Sequence, residues 1–118
     1  MNIEEFRLYC LQKDGTSEEF PFDNKTLVFK VLGKIFALTN VDHFDSINLK
    51  CDPEKALDLR ERYPAVKPGY HMNKKHWNTI LIDSSIANEI IYSWIDDSYT
   101  QVVKGLPKKE KNKLIKLQ

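Results

Sequence analysis

The run from Leu27 to Cys51 constrains the fold more than any other part of the chain. Leu27-Val28-Phe29-Lys30-Val31 is rich in the β-branched and aromatic residues that suit a pleated, half-buried surface. Leu32-Gly33 is a turn signal, and Lys34-Ile35-Phe36-Ala37-Leu38-Thr39 follows as a second strand, so the two form a β-hairpin. Val41 to Asp45 is a polar loop holding His43. Ser46 to Cys51 then alternates with period two, which predicts Ile47, Leu49 and Cys51 facing inward and Asn48 and Lys50 outward. Three consecutive antiparallel strands make a meander, and its apolar face needs a cover.

The flanking segments supply that cover. Asn2 is placed to cap a first helix over 3–13, with Glu5 completing a capping box and Gly15 suited to the left-handed position after it. Asp52-Pro53-Glu54 starts a second helix over 53–63, which Pro64 ends. Asp83-Ser84-Ser85 is expected to cap the longest helix, 86–104, whose apolar stripe includes Ile90, Ile91, Trp94, Ile95, Tyr99 and Val102. Gly105 and Pro107 stop it. A short basic helix follows, with Leu106, Leu114, Ile115 and Leu117 as its apolar side. Glu19 to Phe22 alternates, but Pro21 confines it to an edge strand or an extended arm. His76 to Ile82 is a further strand, with Trp77, Thr79 and Leu81 on one face and Asn78, Ile80 and Ile82 on the other. The expected architecture is α+β, an antiparallel sheet with helices packed on one face, in one domain over residues 1–118.

Pro68-Gly69-Tyr70-His71-Met72-Asn73-Lys74-Lys75-His76-Trp77-Asn78 stands apart. It carries too many donors for a buried segment and too much apolar area for a plain solvated loop. Pro64, Pro68 and Gly69 argue against regular structure in the first half of the segment 65–75. Charge is uneven around this stretch. Residues 1–60 hold 8 Lys/Arg against 11 Asp/Glu, whereas residues 61–118 hold 10 against 6. The excess positive charge therefore falls on the second half, which favours a polyanionic partner. Cys10 and Cys51 are isolated and are expected to be reduced and structural. No apolar run approaches the roughly 20 residues that cross a membrane, and no signal peptide is visible, so the expected compartment is the cytoplasm.

Val28-Phe29-Lys30-Val31-Leu32-Gly33-Lys34-Ile35-Phe36-Ala37, Leu49-Lys50-Cys51-Asp52-Pro53 and the long motif Val66 to Thr79 resemble the MmcQ/YjbR family. Phe20-Pro21-Phe22, Leu59-Arg60, Tyr63-Pro64, Ile95 to Tyr99 and Leu106 to Lys109 extend the likeness over nearly the whole chain. The resemblance implies a compact fold similar to the CyaY-like one and a DNA-binding protein.

The residues themselves say how such binding would work. Lys67, Lys74 and Lys75 are candidates for phosphate contacts, with Asn73 and Asn78 as hydrogen-bonding neighbours and Tyr70 and His71 as loop-fixing or stacking groups. Trp77 is assigned to the core. The lysines from Lys104 to Lys116 are a second basic group, read as a solubilising helix face. No HxH, HExxH or CxxC pattern suggests a metal, no Gly-rich loop suggests a phosphate cradle, and no cofactor is expected. Cys51 with His71 or His76 is the nearest approach to a nucleophile and base, but its inward strand position suits packing better. Asp96 and Asp97 are adjacent on a helix and point apart. The expectation is a monomeric, non-enzymatic DNA-binding protein of low sequence preference, with a protein–protein interaction module as the alternative.

Overall fold

The computed structural model describes residues 1–70 and 72–117. In chain order the elements are α1 (Ile3–Leu11), β1 (Thr16–Glu19), β2 (Thr26–Val31), β3 (Lys34–Asn40), β4 (Ser46–Lys50), α2 (Pro53–Arg62), β5 (Val66–Pro68), β6 (Trp77–Leu81), α3 (Asn88–Lys104) and α4 (Lys108–Leu117). The strands form one antiparallel sheet in the order β1-β2-β3-β4-β6-β5. The expected meander is its centre, and the fold is α+β with the main core between the sheet and the helices. No helix among the described residues is long and apolar enough to cross a membrane.

The β2–β3 turn needs two left-handed residues, and Leu32 (φ 46°) and Gly33 (φ 85°) supply them. Within this hairpin Phe29 pairs with Ala37 but Lys30 pairs with Ile35, which leaves Phe36 unmatched. That bulge brings Phe36 and Ala37 into the same core, both fully buried. The β3–β4 register, carried one residue past Ala37 and Leu49, sets Phe36 opposite Lys50. The buried Ser98 of α3 stands between them. Its Oγ donates to the Phe36 carbonyl (2.5 Å) and accepts from the Lys50 amide (2.8 Å). A helix side chain thus extends the β3–β4 ladder beside the bulge, which lies in the neighbouring β2–β3 pairing.

Aromatic contacts tie the layers together. Phe6 of α1 meets Phe29 edge-on at 5.4 Å, and Phe36 meets Tyr99 of α3 in the same way. Between α1 and α3, Tyr9 stacks on Tyr92 at 4.2 Å and donates its hydroxyl to Asp96, which also pairs with Lys13. Burial, then the bond to Asp96, pushes the Tyr9 phenol up to about 12. Asn2 and Glu5 form the expected capping box, and Asp52 caps α2.

Four expectations about elements, caps and helix faces need correction. The Glu19–Phe22 strand is displaced: β1 ends at Glu19, and Phe20 to Phe22 leave the sheet because Pro21 cannot continue a ladder. The segment after Pro64 does hold a strand, β5, because it lies at the sheet edge, where a strand tolerates the missing Pro68 amide. Asp83 does not cap α3. It closes a turn of its own by accepting from the Ser85 amide and hydroxyl, and α3 begins only at Asn88, with no side-chain cap. Of the apolar side assigned to α4, Leu106 and Leu114 are buried while Ile115 and Leu117 are exposed. Neighbouring residues on a helix point about 100° apart, so a helix docked by Leu114 turns Ile115 outward. Leu114 lies against Gly15, where φ is +71° and an added Cβ would meet its Cδ2 at 2.6 Å.

Candidate nucleic-acid interface

The face of the sheet away from the main core is polar at its rim and has a small apolar centre. Val28, Leu38 and Trp77 are buried there beneath Ile35 and Met72. Trp77 is therefore core, as expected, but on the face opposite the helices. Asn48, expected to face solvent, is buried on this side because Thr79 lies opposite it and donates its hydroxyl to Asn48 Oδ1 at 2.6 Å. Thr79 Oγ1 also accepts from the Tyr70 amide at 2.9 Å. This chain of bonds anchors the start of the loop that follows β5 while the Tyr70 side chain stays 67% exposed.

The turn before β6 is built by Asn73. Its Oδ1 accepts from the Lys75 amide at 2.8 Å, and its carbonyl accepts from the His76 and Trp77 amides. Asn73 is thus a shaping residue for the turn that presents Lys74 and Lys75. Arg60 of α2 grips the same turn from the helix side. Its Nη2 donates to the carbonyls of Lys74 and Trp77, and its Nε donates to Asn78 Oδ1 at 2.7 Å. The Asn78 amide donates in turn to the Ala56 carbonyl, and the residue is 2% exposed. Asn78 therefore serves α2 and is closed to any ligand. Gly69 completes the base of the loop. Its amide donates to the Trp77 carbonyl at 2.9 Å, and a Cβ there would lie 2.8 Å from Trp77 Cβ.

Lys67, Lys74 and Lys75 are exposed, and Lys67 sits opposite Thr79 in the register. His71 lies outside the described residues. Strand direction adds two cations that sequence reasoning missed. Lys34 opens β3 and Lys50 closes β4 opposite Trp77, so both stand at the sheet end where the 73–76 turn lies. Among the described residues, Lys34, Lys50, Lys67, Lys74 and Lys75 have no carboxylate within ion-pair distance. The opposite end carries Asp23, Asp42, Asp45 and Asp83 in the connections before β2, after β3, before β4 and after β6. The place of Lys34 and Lys50 at strand ends beside turns was a readable signal. The role of Arg60 had none, because its partners lie 14 to 18 positions away.

Cys51 meets the turn before β6 through its backbone: its amide donates to the His76 carbonyl at 2.7 Å. Burial pushes its thiol up, so the sulfur stays protonated near neutrality and suits packing rather than attack. Among the described residues, no group of three or more His, Cys, Asp or Glu side chains is arranged to hold a metal ion.

A six-stranded antiparallel sheet with one helix-covered face and one open, cationic-ended face defines the class of protein. Comparison with known proteins then identifies it: the YjbR family model matches residues 11–101, and the chain belongs to that family. It is 36% identical over 118 residues to the uncharacterized protein YjbR of Escherichia coli K12, covering 99% of this chain and all of that one. It is 42% identical over 96 residues to the uncharacterized protein YbdF of Escherichia coli O157:H7, covering 80% of this chain and 79% of that one. Among solved structures, the DUF419-domain protein DR2400 of Deinococcus radiodurans superposes with a TM-score of 0.89 at 38% identity, over 96% of this chain and 87% of that one.

Proposed function

We propose that the protein binds nucleic acid along its backbone, through the cationic end of the open sheet face. One observation carries this reading. Lys34, Lys50 and the Lys74–Lys75 turn gather at one sheet end with no carboxylate partner among the described residues. Like charges brought together repel one another, and a polyanion relieves that repulsion. Arg60 and Asn73 hold the turn in shape, so the lysines are presented from a fixed backbone. Lysine is a point charge on a flexible stem, which suits phosphate neutralisation and gives little base preference. Lys67 extends the surface along β5, and Tyr70 offers an exposed ring beside it.

The test is duplex DNA binding across a salt series. Three or four phosphate contacts give a slope of roughly −3 to −4 in log K against log salt. Lys74→Ala/Lys75→Ala should reduce that slope by about 2. Absence of binding at low salt, or a slope indifferent to the double variant, removes this role from the turn. A protein partner is the second reading, favoured by the exposure of Phe22 and Tyr70. Its mark is a complex lost on Tyr70→Ala and insensitive to the lysine pair.

A further inference from the structure

The cationic end of the sheet also carries a hollow that backbone neutralisation leaves unused. It measures about 570 Å³, within the range of small-molecule sites, roughly 300–1,000 Å³. Ile35 and Trp77 line it from the open face and Val102 and Gly105 from the end of α3, Phe22 stands at its side, and Lys30, Lys34 and Lys50 surround it. No carboxylate is among its lining residues. Lys30 is held by Glu19, whereas Lys34 and Lys50 have no such partner among the described residues. Phe22 is 66% exposed, although it follows Pro21 in a segment bent back over the sheet.

We propose that this hollow receives an unpaired nucleotide, its base stacked on Phe22 and its phosphate between Lys34 and Lys50. The inference rests on the nucleic-acid reading above and deepens it from backbone contact to a base site. Two arguments favour this occupant. In a duplex both faces of each base are already stacked, so a ring such as Phe22 can take a base only from a single strand or a splayed end. The cations are also arranged as a track. Lys34, Lys50 and the 73–76 turn belong to β3, β4 and the entry to β6, which are adjacent in the sheet. Neighbouring strands lie about 4.8 Å apart, so the track spans roughly 10 Å and passes more than one phosphate of a bound strand.

The experiment compares oligothymidylate of roughly ten nucleotides, a length within single-strand site sizes, with a duplex of equal length. The wild type, Phe22→Ala and Lys74→Ala/Lys75→Ala are titrated against both. Loss of one base stack should weaken oligothymidylate binding by Phe22→Ala about tenfold. Duplex binding by the same variant should stay within about twofold, because that contact is to phosphate. The lysine variant should weaken both. Phe22 is exposed, so its thermal melt should match the wild type. If Phe22→Ala binds oligothymidylate like the wild type, or weakens both nucleic acids equally, the base site is overturned and backbone binding stands. If the duplex binds and oligothymidylate does not, the base site again falls alone. If neither binds, both readings fall.

Discussion

The two faces of the sheet are built on opposite terms. The covered face is held by close packing: Phe6, Phe29, Phe36, Ile47 and Ile95 are fully buried, and α1, α2 and α3 all contribute to its core. Among the described residues, the open face has three buried apolar side chains, a bonded row from Tyr70 through Thr79 to Asn48, and lysines at its rim. Stability is therefore concentrated on one side of a single layer of strands, and the proposed ligand chemistry falls on the other. Residues such as Arg60 and Ser98 matter because they reach from the helices to the strand ends and joints that the two faces share.

This contrast makes unequal predictions. Phe29→Ala empties the centre of the covered face and should lower stability by about 3–5 kcal/mol in urea unfolding, with nucleic-acid affinity of the folded fraction unchanged. An equal loss of affinity under conditions where the variant is folded would break the division between faces. Arg60→Ala should be intermediate. It leaves the buried Asn78 Oδ1 without its guanidinium donor and frees the Lys74 carbonyl, a loss of about 1–3 kcal/mol. Unlike Phe29→Ala, it should also speed amide exchange at Lys75 and His76, because their acceptors lie in the turn that Arg60 grips. Lys74→Ala/Lys75→Ala should do the reverse of Phe29→Ala, leaving stability within about 0.5 kcal/mol while flattening the salt slope.

The smallest effect lies at the sheet edge. Arg7 of α1 binds Glu18 of β1 through two bonds and holds its carboxyl below the usual value, by hydrogen bonding first and by charge as well. The folded value is depressed, so the stabilisation is full above the unfolded value and is lost as pH falls through the lower folded one. Thermal melts of wild type and Glu18→Gln should therefore differ slightly at neutral pH and converge in acid. A difference that persists in acid would assign the effect to packing instead.

Much of this was legible from local pattern. Strands over Leu27–Lys50 and the α2 boundaries follow from alternation, Gly33, Asp52 and Pro53, which act within a few residues of themselves. The setting of Phe36 was not legible, since its carbonyl is satisfied by Ser98, 62 positions on. The burial of Asn48 depends on Thr79 and that of Asn78 on α2, so period-two alternation gave Asn48 the wrong environment. The candidate site divided in the same way. Lys74, Lys75, Asn73 and Tyr70 lie together in the chain and were found together. Lys34 and Lys50 join them only through sheet topology, and Phe22 joins them only through the bend after β1.

The Ser98 bridge has a consequence for how motion in this protein is read. The amide of Lys50 is part of β4, yet its acceptor belongs to α3. Its hydrogen exchange therefore reports whether the helix is seated, while the amides of paired residues deeper in β4 report whether the sheet is closed. A single residue at the edge of the cationic face thus serves as a gauge of helix undocking, and its response to added nucleic acid would show whether occupancy of one face is felt on the other.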